Sequence, residues 1–225
     1  MLQKINFILI HGWGFADNFW LPLLKCLRNN KKYKLKFNIF NLGFFGEKKI
    51  IKASRKNYVN ILITHSYGHC WFQRNQFPID GLISFFYPGN YYFSRRTKKS
   101  KLIVNMIKEF RTNPETVLCR FYKLCGNSMY KSYGKINPSL LLSALNELKN
   151  IDFKKIERQY KYAKLFIFSK NDKVLDEMHY QEKKKNHLIL DCGCHGLPFT
   201  NPMISSKIIF EYIDNEIQRK NYTCI

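Results

Sequence analysis

Residues 58–64 (YVNILIT) form a continuous apolar run that ends directly in His65-Ser66-Tyr67-Gly68, where a helical pattern begins. A run with no polar side suits a strand buried on both faces, and the passage from strand to helix within so few residues demands a tight turn. The same order recurs along the chain. Residues 5–10, 36–40, 81–86, 164–168 and His187–Leu190 read as further strands. Residues 17–29 read as a helix, with Asp17 or Asn18 as N-cap and Trp20, Leu23, Leu24 and Leu27 on one face. A last helix is expected over about residues 202–218, with Pro202 near its first turn. Strands of this kind separated by helices call for an α/β fold with a mostly parallel sheet flanked by helices.

A length of 225 residues allows one large domain, or one domain with an insert. Residues 89–160 hold helical patterns at 102–110, Pro114–Leu124 and 138–148, and no strand. The expected organisation is therefore a core of residues 1–88 and 161–225, with 89–160 as a helical lid or cap over one end of the sheet. With 45% apolar residues a core can form, which excludes a disordered or collagen-like chain. The opening apolar run is too short for a signal peptide, and no stretch approaches the ~18 apolar residues that span a bilayer. Seven cysteines, an odd number without framework spacing, fit a reducing compartment. A cytoplasmic protein without a membrane span, and monomeric, is the expectation.

Four loops carry chemistry. At Thr64-His65-Ser66-Tyr67-Gly68 a strand-to-helix turn would lift the Ser66 hydroxyl above the sheet and aim backbone N–H groups at an oxyanion. Thr64 stands where the G-x-S-x-G pattern has its first glycine, and His69 follows Gly68. His11-Gly12-Trp13-Gly14 follows the first strand, and its glycines allow close approach of backbone to substrate. Asp172 lies on the loop after the fifth strand, with Asp176 and Glu177 as close competitors; its distance from the strand end favours Asp172. His195 follows the last strand, which gives the chain order Ser, Asp, His. A histidine there would take the Ser66 proton and return it to a leaving alcohol, while Asp172 orients it. The other histidines fit less well: His11, His65 and His69 belong to the two loops, His179 to a charged helix, and His187 to the start of a strand. Cys192-x-Cys194-His195 invites a metal reading, but structural zinc needs four ligands and no second Cys/His pair accompanies it.

Together these loops resemble the α/β-hydrolase superfamily, and within it the pimeloyl-[acyl-carrier protein] methyl ester esterases of biotin synthesis. His11-Gly12-Trp13-Gly14 with Trp20 resembles that family's H-G-W-G-x(5)-W opening. Asn41-Leu42-Gly43-Phe44-Phe45-Gly46 resembles its L-P-G-F-G loop, and the run from His195 to Pro202 its H-A-P-F-x-x-H-P segment with one residue inserted. Residues 145–152 resemble the exit from its lid. The resemblance implies a serine carboxylesterase with Ser66, Asp172 and His195 as triad and the Trp13 and Tyr67 backbone N–H groups as oxyanion hole. It also implies Trp13, Arg120 and Phe121 on the substrate, with Cys125 in place of a polar residue. Neither cofactor nor metal is implied.

The chain carries 38 basic and 16 acidic residues, a net charge of +22. No nucleic-acid-binding signature accompanies it, so nucleic acid is not the expected partner. Residues 89–150 hold 12 basic and three acidic residues, including Arg95, Arg96 and Arg120. A basic lid would steer and dock an acidic acyl carrier protein bearing a pimeloyl methyl ester. Compositional drift in a Lys-, Asn- and Ile-rich chain gives the same charge without a partner. Aromatic residues of the insertion (Tyr91, Tyr92, Phe93, Phe110, Phe121, Tyr122, Tyr130) would line an acyl tunnel or pack the insertion on the core. A thioesterase, a broad short-chain esterase, or a non-catalytic binding protein on the same fold stay open at this point.

Overall fold

The computed structural model describes residues 2–51, 57–88, 98–126, 131–132, 134–150, 163–175 and 185–217. Strands β1 (Lys4–Ile10), β2 (Lys34–Phe40), β3 (Val59–His65), β4 (Gly81–Phe85), β5 (Ala163–Ser169) and β6 (His187–Leu190) form one sheet in the order β2-β1-β3-β4-β5-β6. Every pairing is parallel, with Ile10 beside both Phe40 and Thr64 at the carboxyl end. In β1 Ile5, Phe7, Ile8, Leu9 and Ile10 are all fully buried, so the strand needs apolar side chains on both faces. β2 lies at the edge, and its pattern alternates between exposed and part-buried before it buries its end. Asn6 donates to the Asn60 side chain at 2.7 Å, a buried polar link between β1 and β3.

Helices α1 (Leu21–Arg28), α2 (Tyr67–Arg74), α6 (Leu197–Thr200) and α7 (Pro202–Tyr212) flank the sheet. α1 buries Leu23, Leu24 and Leu27 and packs on α7 and α6. Removing each such side chain from water contributes about 1.5–3 kcal/mol, so Leu27→Asp would detach that face. The expected N-cap at Asp17 or Asn18 is not made. Asp17–Trp20 is a 3-10 turn capped by Ala16 without a side-chain bond, and α1 proper begins at Leu21 with Pro22 in its first turn. The Asn18 amide donates instead to the Lys131 carbonyl oxygen, so a contact distant in sequence displaces the local cap. α7 is capped by Asn201, whose side chain accepts from the Ile204 N–H, and it continues into a π turn at Ile213–Ile217.

Between β4 and β5 come α3 (Lys98–Phe110), α4 (Pro114–Leu124) and α5 (Pro138–Asn150). α3 packs on both α4 and α5, and α5 touches α2, so the three helices sit over the carboxyl end of the central strands. No described helix is long and apolar enough to cross a membrane.

Candidate active site

The turn between β3 and α2 holds Ser66 at φ 48°, ψ −119°, a left-handed conformation that a side-chain-bearing residue enters only at a cost of about 1–3 kcal/mol. Three features hold it there. The Ser66 N–H donates to the Phe85 carbonyl at 2.8 Å, across the end of β4. Thr64, in place of the usual small glycine, buries its hydroxyl and satisfies it in a bond to Ser84 at 2.9 Å. Gly68 lets α2 run against β1: a Cβ there would lie 2.4 Å from the Ile10 carbonyl oxygen and 2.6 Å from that of His11. The Tyr67 N–H opens α2, one of the four helix-start donors without an intrahelical acceptor.

The loop after β1 closes over this turn. A Cβ on Gly12 would lie 3.1 Å from the Ser66 Cβ, so His11-Gly12-Trp13 reaches the serine only because residue 12 has no side chain. His11 is wholly buried and fixes the loop from both ring nitrogens. Its Nε2 accepts from the Leu42 N–H at 3.0 Å, which leaves Nδ1 as the donor to the Gly12 carbonyl at 2.9 Å. Burial lowers its pKa to about 4, so it stays neutral at physiological pH.

His195 and Asp172 meet at 2.8 Å, Nδ1 to Oδ2, with both side chains fully removed from solvent. The other Asp172 oxygen accepts the N–H groups of Val174 (2.7 Å) and Leu175 (3.0 Å), so all three donors point at one carboxylate. The Asp172 carboxylate only accepts, so His195 carries its proton on Nδ1. The opposite nitrogen, Nε2, is buried and makes no hydrogen bond. It is a bare acceptor on a ring that packs 5.0 Å from that of His65, the residue preceding Ser66. The bond from Ser66 to Nε2 is not closed here; in this type of site it commonly tightens only when substrate arrives.

Ser66 opens into a cavity of about 460 Å3 under the helical insertion. Trp13, Arg120, Phe121, Leu145, Leu148 and Leu175 share in its lining, which is mainly apolar. The volume falls within the range of small-molecule sites. Trp13 is pinned: its Nε1–H donates to the Leu141 carbonyl of α5 at 2.8 Å, and its ring packs edge-on to Phe121 (5.0 Å) and Phe110 (5.6 Å). The Arg120 guanidinium pairs with Glu109, another lining residue.

Of the sequence candidates, Ser66, Trp13, Arg120 and Phe121 line the cavity, Asp172 is bonded to His195, and Cys125 and Tyr122 lie outside the lining. Cys125 is buried outside the cavity lining and serves through its backbone: its carbonyl accepts the Gly196 N–H at 3.0 Å, tying α4 to the His195 loop. Tyr122 does not line the cavity but donates its hydroxyl to the Gly14 carbonyl at 2.6 Å. Of the Cys192-x-Cys194-His195 run, the His195 ring is bonded to Asp172 and Cys194 Sγ contacts Thr200 Oγ1 at 3.2 Å. Among the described residues no three or more His, Cys, Asp or Glu cluster so as to hold a metal. Asp176, Glu177, His179, Arg95, Arg96, Tyr91, Tyr92, Phe93, Tyr130 and the end of the lid-exit run fall outside the described residues.

A network at Tyr67 gave no sequence signal. Its hydroxyl donates to Glu147 on α5, and Arg74 on α2 donates to both the Tyr67 hydroxyl (3.0 Å) and Glu147. Burial raises the Tyr67 pKa, and the Glu147 carboxylate raises it further. Burial also pushes the Glu147 carboxyl up, but the bonds from Arg74 and Tyr67 outweigh it and the net shift is downward. Tyr67, which follows Ser66, and α5 are joined by this charge-assisted set.

The sheet order, the strained serine turn and the Ser–Asp–His sequence over the carboxyl edge define an α/β-hydrolase fold. No family model matches the chain, and none of the curated proteins matches its sequence. Solved structures do match. A bromoperoxidase from Bacillus anthracis superposes with a TM-score of 0.74 at 15% identity, over 95% of this chain and 93% of that one. An esterase from Exiguobacterium antarcticum gives 0.72 at 11% identity, over 96% and 94%. A hydrolase from Oleispira antarctica gives 0.69 at 14%, over 94% and 91%. At these identities the likeness is one of fold.

Proposed function

We propose that this protein is a serine carboxylesterase. The observation that carries the reading is the buried His195–Asp172 pair, whose ring leaves Nε2 without a hydrogen bond and packs against His65, the residue that precedes a serine held in a strained turn. In the reaction Ser66 Oγ attacks the ester carbonyl as His195 Nε2 takes its proton. Asp172 stabilises the imidazolium, and the Trp13 and Tyr67 N–H groups hold the oxyanion. His195 returns the proton to the leaving alcohol. Water, deprotonated by the same nitrogen, then cleaves the acyl-enzyme, and acid and alcohol leave.

The finer reading is hydrolysis of the methyl ester of a pimeloyl chain carried on an acidic acyl carrier protein. Its supports are the H-G-W-G and H-G-L-P-F runs, the apolar cavity, and the basic insertion with Arg120 at the cavity wall. Arg120 is paired to Glu109 at rest, so an incoming phosphate or carboxylate must exchange one ion pair for another. Purified protein incubated with pimeloyl-carrier methyl ester, beside a Ser66→Ala control, tests this by intact mass. The reading expects the loss of one methyl group, with the chain still on the carrier and no change in the control. Release of the whole chain would make the protein a thioesterase, and an unchanged carrier with turnover of an aryl ester would remove the carrier assignment.

A further inference from the structure

His65 is wholly buried beside the nucleophile, and the esterase chemistry above gives it no task. Its ring is boxed by other rings: stacked on Phe19 at 4.6 Å, and edge-on to Phe15 (5.4 Å), His195 (5.0 Å) and Phe86 (6.2 Å). An aliphatic side chain would fill such a box without loss, whereas an imidazole gives up water at both nitrogens. One bond compensates. His65 Nε2 stands 2.8 Å from the backbone carbonyl oxygen of His195. A carbonyl only accepts, so Nε2 carries the proton and Nδ1 is bare. Nδ1 makes no hydrogen bond and faces Gly12, where a Cβ would lie 2.6 Å away.

We propose that His65 is a positioning residue for the reaction: its Nε2–H holds the His195 backbone and so sets where the His195 ring stands relative to Ser66. The proposal rests on Ser66 and His195 acting as nucleophile and base. His195 is then held at two points, its Nδ1 by Asp172 and its carbonyl by His65. Asp172 fixes the rotation of the ring and His65 fixes the backbone that carries it. Because His65 precedes Ser66 in the chain, the second bond ties the serine turn straight to the loop of its base. Burial, and then the nearness of His195, keep His65 well below the usual histidine pKa. No second positive charge therefore opposes the imidazolium that forms during turnover.

The test compares His65→Leu, which fills the box without a donor, with His65→Gln, whose amide donates from a similar reach. Both are made in the full chain, beside Ser66→Ala, and assayed on p-nitrophenyl butyrate. Misplacement of a reacting group by about 1 Å costs roughly 100-fold, so His65→Leu is expected to lower kcat by roughly 10- to 100-fold with KM little changed, and His65→Gln to recover most of the loss. Nitrogen-15 spectra of the wild-type rings are expected to show His65 neutral with its proton on Nε2. Unchanged kcat in a folded His65→Leu protein, or equal damage from Leu and Gln, would overturn the proposal. So would a wild-type His65 ring that is cationic or protonated on Nδ1, a readout that stands even if the Leu variant does not fold. Turnover surviving in Ser66→Ala would instead remove the nucleophile reading on which the proposal stands.

Discussion

Asp172→Asn separates orientation from bulk in the candidate site, and the structure dictates which way the new amide must face. One carboxylate oxygen of Asp172 accepts two backbone N–H groups, from Val174 and Leu175; the other accepts one, from His195. An asparagine has a single acceptor oxygen. Turned toward the backbone it keeps two bonds, and its NH2 then faces His195 Nδ1. Turned the other way it aims that NH2 at two buried N–H groups, each left unsatisfied at about 1–3 kcal/mol. The first arrangement wins. His195 Nδ1 must then accept, so the ring proton moves to Nε2, the atom that should take the Ser66 proton. A wrong tautomer in a site of this type lowers kcat by about 10^4-fold, or roughly 5 kcal/mol at 1.36 kcal/mol per decade. The variant should stay folded, since shape and backbone bonds are kept. The assay is kcat on p-nitrophenyl butyrate, with the melting temperature and the rate of fluorophosphonate labelling measured alongside. A folded Asp172→Asn protein with kcat within a few-fold of wild type would refute this account of the pair.

Further outcomes follow from the same contacts. Gly68→Ala places a Cβ against two backbone oxygens that cannot swing aside, so it should destabilise by about 1–3 kcal/mol and abolish turnover, read by thermal melt and assay. His11 and His69 are buried neutral, with pKa values lowered by burial to about 4 and about 3. Between those values and about 6.5 the unfolded chain binds protons that the folded one refuses, so stability falls as pH drops through that window. His11 alone contributes a loss of about 3 kcal/mol across it, at 1.36 kcal/mol per pKa unit, and His69→Gln should flatten the melting-temperature profile below pH 6. Glu147→Gln has the carboxylate sign: its contribution is present above about pH 4.3 and lost as pH falls through the lowered folded value. With a third of that side chain exposed the difference at pH 7 should stay under about 1 kcal/mol, and it should close in acid.

Much of this was legible in the sequence because the signals are local. The apolar runs name β1, β3 and β4; H-G-W-G and S-Y-G mark the two loops that need close backbone approach; Asp172 and His195 follow from their places after β5 and β6. What stayed hidden depends on residues far apart in the chain. The start of α1 follows the Asn18–Lys131 bond rather than the capping preference of Asp17 or Asn18. The buried Thr64 hydroxyl finds its acceptor in Ser84, twenty residues on, and Glu147 reaches Tyr67 only because α5 folds back over α2. His65 read as one more loop histidine, since nothing before it in the chain announces the carbonyl of residue 195 as its partner.

The claim that Ser66 is an activated nucleophile is tested most directly by peptide mapping after treatment with a fluorophosphonate. The account predicts a single stoichiometric adduct on Ser66, absent in Ser66→Ala and formed far more slowly in His195→Ala. A folded protein that takes no label, or takes it on another residue, would contradict it.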